Sequence, residues 1–235
     1  ETIDYGPCAF IDEYDPATVF SAIDSQGRYA FSNQPAIAQW NLARFAETIL
    51  FLLDDDSEQA VDFAQEALEY FGKNFQSYWL QQMKLKLGLV GNDKNDLLLI
   101  QDFLKILHTE KFDFTNCFRA LSYELEPSET KSWKNYLPQS NEFTNWLTTW
   151  KNRIVKEEKS NSEICKIMQS ANPAYIPRNH LVEQAIQQAV QEKSYEKFKQ
   201  LDQVLSHPYS ENKNYPDYCK PPKPSERVLQ TFCGT

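Results

Sequence analysis

Asn33-Gln34-Pro35-Ala36-Ile37-Ala38-Gln39-Trp40-Asn41-Leu42 is where the chain turns helical. Pro35 suits the first turn of a helix, where its missing N–H leaves no hydrogen bond unmade. Ile37, Trp40, Leu42, Phe45 and Ile49 then fall broadly on one side of a 3.6-residue period. The same period recurs downstream. Asp54-Asp55-Asp56-Ser57 offers N-caps for a second helix carrying Ala60, Phe63, Ala67, Leu68 and Phe71, with Gly72 as its end. A third helix is expected from Phe75 to Leu87, stopping at Gly88. Asn92 or Asp93 caps a fourth, holding Leu97, Ile100, Leu104 and Leu107. Asp113 caps a short fifth around Cys117, Phe118 and Leu121. After a polar connection over 124–139, Ser140 starts a helix bearing Phe143, Trp146, Leu147, Trp150 and Ile154. Ser160 and Glu163 fit a capping box, and Leu181 to Ala189 and Tyr195 to Leu205 read as two more helices. From His207 the chain reads as an irregular tail packed on the surface.

Composition agrees with a mainly α protein. The 235 residues suffice for one large domain or two small ones, 41% are hydrophobic, and the Gly count is only 6. A net charge of −9 offers no electrostatic footprint for a nucleic-acid backbone, so no nucleic-acid partner is expected. The longest apolar pieces, 48–53 and 97–100, fall far short of a membrane span, and no membrane partner is expected. The chain opens on Glu1-Thr2-Ile3 without a Met, and the expectation is that its natural start lies further upstream. Five Cys stand at 8, 117, 165, 219 and 233, an odd number at spacings that suit neither a zinc site nor a disulfide scaffold. Cys117 and Cys165 lie on apolar stripes and read as small buried hydrophobes, which favours a reducing compartment. His108, His180 and His207 share no metal-ligand spacing, and Trp146 and Trp150 read as core.

Residues 1–32 differ from the rest. Gly6-Pro7, Asp15-Pro16 and Gln26-Gly27 punctuate a long ordered loop, with a short strand expected at its start. The loop opens on Ile3-Asp4-Tyr5-Gly6. An apolar residue followed by Asp-aromatic-Gly is how kinase-like enzymes present a metal-binding carboxylate. Mg2+ prefers hard oxygen ligands and nucleotide phosphates supply the others, so one carboxylate on a rigid turn suffices. A plain Asp-x-Gly turn is the competing reading of the triplet. After the triplet come a loop of thirty-odd residues and then helices, which is the order metal motif, activation segment, helical lobe.

Further fragments extend this order. Thr2-Ile3-Asp4-Tyr5-Gly6-Pro7 is followed by Phe10-Ile11-Asp12, Asp15-Pro16, Gln26-Gly27-Arg28-Tyr29 and the Asn33–Leu42 run. At the far end stand Met168-Gln169-Ser170-Ala171-Asn172-Pro173-Ala174, Pro177-Arg178-Asn179-His180-Leu181, His207-Pro208-Tyr209 and Cys233. This ordered set resembles the SelO (YdiU) family of pseudokinases over nearly the whole chain. The first forty residues are the most specific, and 54–160 match only as a helical pattern. A true protein kinase fits less well, because the usual Ala-Pro-Glu end of the activation segment is absent.

The resemblance implies a protein-kinase-like C-lobe fragment with a helical C-terminal extension. The metal motif and activation segment would occupy 1–32, the C-lobe helices 33–123 and the extension 124–235. It implies ATP bound in a reversed orientation and AMP, not phosphate, moved onto Ser, Thr or Tyr hydroxyls of proteins, with pyrophosphate released. Asp4 inherits the roles of Mg2+ (or Mn2+) ligand and nucleotide contact. The family's catalytic Asp, second metal-binding Asn and phosphate-binding Lys and Arg would lie upstream of residue 1, so this chain alone is expected to be inactive. The family also ties a Cys near the C-terminus to one in the activation segment. Here Phe20 stands where that partner would be, which leaves Cys8 and Cys233 as a candidate redox pair and a free thiol at Cys233 as the alternative. Arg28 could order a phosphate or pair with a nearby Asp. Arg178, Asn179 and His180 read as residues tying loops together rather than as catalysts. Partners are ATP and protein substrates, with a monomer expected. The location would be cytoplasmic for a bacterial member and mitochondrial for a eukaryotic one. The alternative function is a non-catalytic helical protein-interaction domain.

Overall fold

The computed structural model describes residues 10–126 and 133–231. The strand expected at the start of the chain lies outside them. The described residues are mainly helical and hold no strand; the one β-type pairing among them is an isolated bridge between Glu13 and Asp113. Eight α-helices follow in order: α1 Gln34–Leu53, α2 Ser57–Lys86, α3 Asp96–Glu110, α4 Phe114–Leu125, α5 Asn141–Ile154, α6 Asn161–Ala171, α7 Asn179–Gln187 and α8 Glu196–Leu205. The chain forms two compact units. Pro16–Gln81 with residues 230–231 belong to the first, and residues 10–15 with Gln82–Leu229, as far as described, to the second.

In the first unit, α1 begins with Pro35 in its first turn as the sequence predicts. The expected break at Gly72 does not occur: α2 runs unbroken through it. A glycine ends a helix when it takes the left-handed conformation, and Gly72 does not; a lone helical glycine merely costs about 1 kcal/mol relative to Ala. Gly88, in the second unit, does take it, at φ +72°, and two residues before it α2 ends. A Cβ there would come within 2.5 Å of Ile164 Cγ2, so close packing against α6 requires glycine as much as the backbone does.

The second unit holds the core. Phe103 stacks on Trp146 at 4.4 Å between ring centres and meets Phe118 edge-on at 5.0 Å. Phe118, Trp150, Leu107 and Leu121 are fully buried, each side chain contributing about 1.5–3 kcal/mol by leaving water. The indole N–H groups are satisfied: Trp146 donates to Leu99 O and Trp150 to Leu87 O, both at 2.9 Å. Cys117 and Cys165 are buried as predicted. Local caps also match. Asp113 accepts from Asn116 N, Ser140 from Phe143 N, and Ser160 with Glu163 completes a capping box. The cap of α3 is displaced from Asn92 or Asp93 to Asn95, because Asp93 and Asp96 use their carboxylates in the turn before the helix. The polar connection over 124–139 contains a 3-10 turn, Trp133–Tyr136, whose Trp133 is buried against Tyr123. The tail beyond His207 is irregular apart from two 3-10 turns, and Asn116 donates to Cys219 O at 2.9 Å.

Candidate functional site

Asp4, Cys8 and Cys233 lie outside the described residues. The described chain nearest to Asp4 in sequence is the segment 10–15. Phe114 N donates to Asp12 O at 2.8 Å and Tyr14 N to Phe112 O at 2.9 Å, which lays this segment alongside the entry to α4. Tyr14 stacks on Phe114 at 5.4 Å and meets His108 edge-on at 6.4 Å. Arg227 from the tail pairs with Glu13.

At the centre is Arg178, only 1% exposed and placed just before α7. Its Nη1 donates to Asp113 Oδ2 at 2.7 Å and its Nη2 to Asp113 Oδ1 at 3.2 Å. Nη1 also donates to Asp12 Oδ1. One guanidinium fork therefore joins the loop segment, the cap of α4 and the start of α7. Burial pushes the Asp113 carboxyl up, and Arg178 pulls against that shift. Burial disfavours the Arg178 charge, yet the carboxylates of Asp113 and Asp12 outweigh it and its pKa rises. Beside them His180 is buried and held below the usual histidine range by desolvation. Such a neutral imidazole is a weak base, which fits the structural reading of the Arg178–His180 run.

A second buried network braces the same unit. Arg119 caps the end of α6 by donating to Gln169 O and Asn172 O, each at 3.0 Å, and pairs with Glu211 at 3.1 Å. Asn172 donates to Lys86 O at 2.8 Å and so satisfies the end of α2. Arg153 pairs with Asp96 at 2.7 Å and Glu157 at 2.6 Å. It forms one wall of an open cleft of about 350 Å³ lined also by Asp93, Asp102 and Lys156. Asp96 and Asp93 in its wall are already paired, with Arg153 and Lys156, so this cleft reads as bracing. Burial raises the Cys117 and Cys219 thiols above the usual range, which leaves them poor nucleophiles.

In the first unit, the loop leading to α1 turns at Gly27, φ +64°. Asp24 accepts from Arg28 N and Tyr29 N, both at 2.8 Å. The Arg28 guanidinium lies 4.4 Å from the Trp40 ring centre. The tail returns here: Thr231 donates its hydroxyl to Phe20 O at 2.6 Å, and Ala22 N donates to Thr231 O at 2.7 Å. Backbone and hydroxyl contacts thus hold the tail at the loop position that the resemblance singles out.

For a divalent metal, the fit rests on the chemistry of the donor: a carboxylate such as Asp4 is the hard oxygen ligand that Mg2+ or Mn2+ takes. Among the described residues no group of three or more His, Cys, Asp or Glu is arranged to hold a metal ion. What the sequence alone missed is the pairing of Asp12 with Arg178. Both lie in quoted fragments, Phe10-Ile11-Asp12 and Pro177-Arg178-Asn179-His180, but nothing local links positions 166 residues apart.

A family model described as protein adenylyltransferase SelO matches residues 1–206. A protein nucleotidyltransferase YdiU of Rhizobium rhizogenes is 46% identical over 240 residues, covering all of this chain and 47% of the relative. Those of Alkaliphilus metalliredigens and Halalkalibacterium halodurans are 47% and 45% identical, each across the whole chain and 47% and 46% of their own length. The chain therefore spans about half the length of the curated relatives it matches. With the family model covering most of its length, the chain belongs to the SelO family of protein adenylyltransferases.

Proposed function

We propose that this chain is the C-terminal part of an enzyme that transfers AMP from ATP to Ser, Thr or Tyr hydroxyls of proteins. The observation that carries the reading is the SelO match over residues 1–206, which includes Ile3-Asp4-Tyr5-Gly6. In this reading the helices over 33–123 are the C-lobe of a kinase-like fold and residues 124–235 its extension. AMP transfer requires attack on the α-phosphate and departure of pyrophosphate, both of which concentrate negative charge. A divalent ion, when bound, neutralises charge on the phosphate oxygens. Asp4 is the residue that would supply a carboxylate ligand to that ion. The residues that activate the hydroxyl and grip the phosphates belong to the portion of the relatives that this chain does not span. The 235 residues alone are accordingly inactive. The thiols of Cys8 and Cys233 remain the candidates for redox control of the same segment.

The test uses the protein at the full length of its relatives. Labelled AMP from ATP with Mg2+ should appear on protein for wild type. Asp4→Ala should reduce the rate by about two orders of magnitude or more, as expected for a lost electrostatic contact at the transition state. Labelling that survives Asp4→Ala would remove the metal role from Asp4, and an inactive wild type would favour a non-catalytic helical interaction module.

A further inference from the structure

We infer that α1 is an interior helix whose cover comes from the remainder of the polypeptide, the part of the relatives' length that this chain does not span. The inference rests on membership of the family and not on the reaction proposed above. It starts from what the first unit lacks. Among that unit's described residues the only buried hydrophobic side chains are those of Ala30, Ala60 and Ala64. Nothing larger leaves water there, whereas the second unit encloses Phe103, Phe118 and Trp150. Three alanine methyl groups remove far too little apolar surface to offset the ordering of two long helices.

α1 shows where the missing apolar surface belongs. Leu42, Phe45, Ile49 and Leu52 follow one another at three- and four-residue steps, which sets them on one stripe. Phe45 is 60% exposed and Leu52 69%. Phe51 stands nine residues after Leu42, two and a half turns on, and therefore on the opposite side, and it too is exposed. A helix that is apolar on opposite sides belongs in an interior. The charged residues of α1 are Arg44 and Glu47, and these pair with each other, so the helix has no net charge to hold it in water.

That distribution selects the occupant. A second copy joined about a two-fold axis lays one stripe of the helix against its mate and leaves the opposite side bare. A membrane surface takes a helix with one apolar face and a cationic polar face, and α1 has neither. The remaining polypeptide is long enough to enclose both sides: this chain covers 47% of the relatives' length, so more than half of each relative lies outside it. What that portion must bring is apolar side chains facing α1 from two directions.

The experiment uses the protein at the full length of its relatives and places the photocrosslinking amino acid benzoylphenylalanine at Phe45 and, separately, at Phe51. Each position keeps an aromatic ring. After irradiation, peptide mass spectrometry should join both positions to residues outside the 235 of this chain, at the mass of a single polypeptide. Cross-links at twice that mass would make a second copy the cover and overturn the inference. So would the absence, at either position, of any cross-link beyond this chain. Phe45→Ser and Phe51→Ser supply a second readout. Each should lower the melting temperature of the full-length protein by about 5–10 °C, and that of the 235-residue chain by no more than about 2 °C. Equal shifts in the two would show that the remainder of the polypeptide leaves α1 uncovered.

Discussion

Helices α1 and α4 reverse the usual association of apolar sequence with burial. α1 carries Ile37, Trp40, Leu42, Phe45, Ile49, Leu50, Phe51, Leu52 and Leu53 in twenty residues, yet none of its residues is buried. α4 mixes Thr115, Asn116, Arg119 and Ser122 with its hydrophobic residues and buries nine of twelve, these four included. The difference lies in partners. α4 packs on α6 and on the turn at Trp133, and most of its buried polar atoms are matched: Asn116 Nδ2 to Cys219 O, Arg119 Nη1 to the end of α6, Ser122 to Arg119 O, with Asn116 Oδ1 and Arg119 Nε left without a partner. Apolar residues on α1 leave water only when something covers them, whereas polar residues on α4 can leave water because specific acceptors await them.

Mutation tests this contrast directly. The largest effect is expected from Phe118→Ala on α4. That ring is fully buried between Phe103 and Phe114, and its loss should destabilise the second unit by about 3–5 kcal/mol, read by denaturant unfolding. A smaller loss, about 0.5–1.5 kcal/mol, is expected for Ser122→Ala, which removes a buried hydroxyl donating to Arg119 O at 2.8 Å. The smallest belongs to Phe51→Ser on α1. At 75% exposed it should change the stability of this chain by no more than about 0.5 kcal/mol, despite exchanging an aromatic ring for a hydroxyl. A loss from Phe51→Ser as large as that from Phe118→Ala would mean that α1 is covered after all.

The helices themselves were legible because their signals are local. Asp113, Ser140 and Ser160 cap where their spacing says they should, and the apolar stripes of α4 and α5 face the core. Gly72 misled because composition does not reveal the backbone conformation a glycine adopts, and Gly88, with the same side chain, ends a helix by taking φ +72°. At the candidate site, Asp4 stood out through a compact motif with a chemical rationale. Asp113 was legible as a cap, but its second role, pairing with Arg178, was not, because charge pairing across 65 residues leaves no periodic trace. The burial of Arg178 was equally hidden: an arginine before a helix reads as a surface residue until the two acids that neutralise it are placed around it.

The stacked tryptophans have a consequence in spectroscopy. Trp146 and Trp150 lie 6.1 Å apart and within 9° of parallel, buried, with each N–H fixed on a backbone carbonyl. Indoles so placed emit at short wavelength and couple their transitions, giving a near-ultraviolet circular dichroism band that vanishes when the stack opens. Trp40, 42% exposed beneath a guanidinium in the other unit, emits further to the red and lacks that coupling. Loss of that band therefore reports, without any added dye, the opening of the second unit's core.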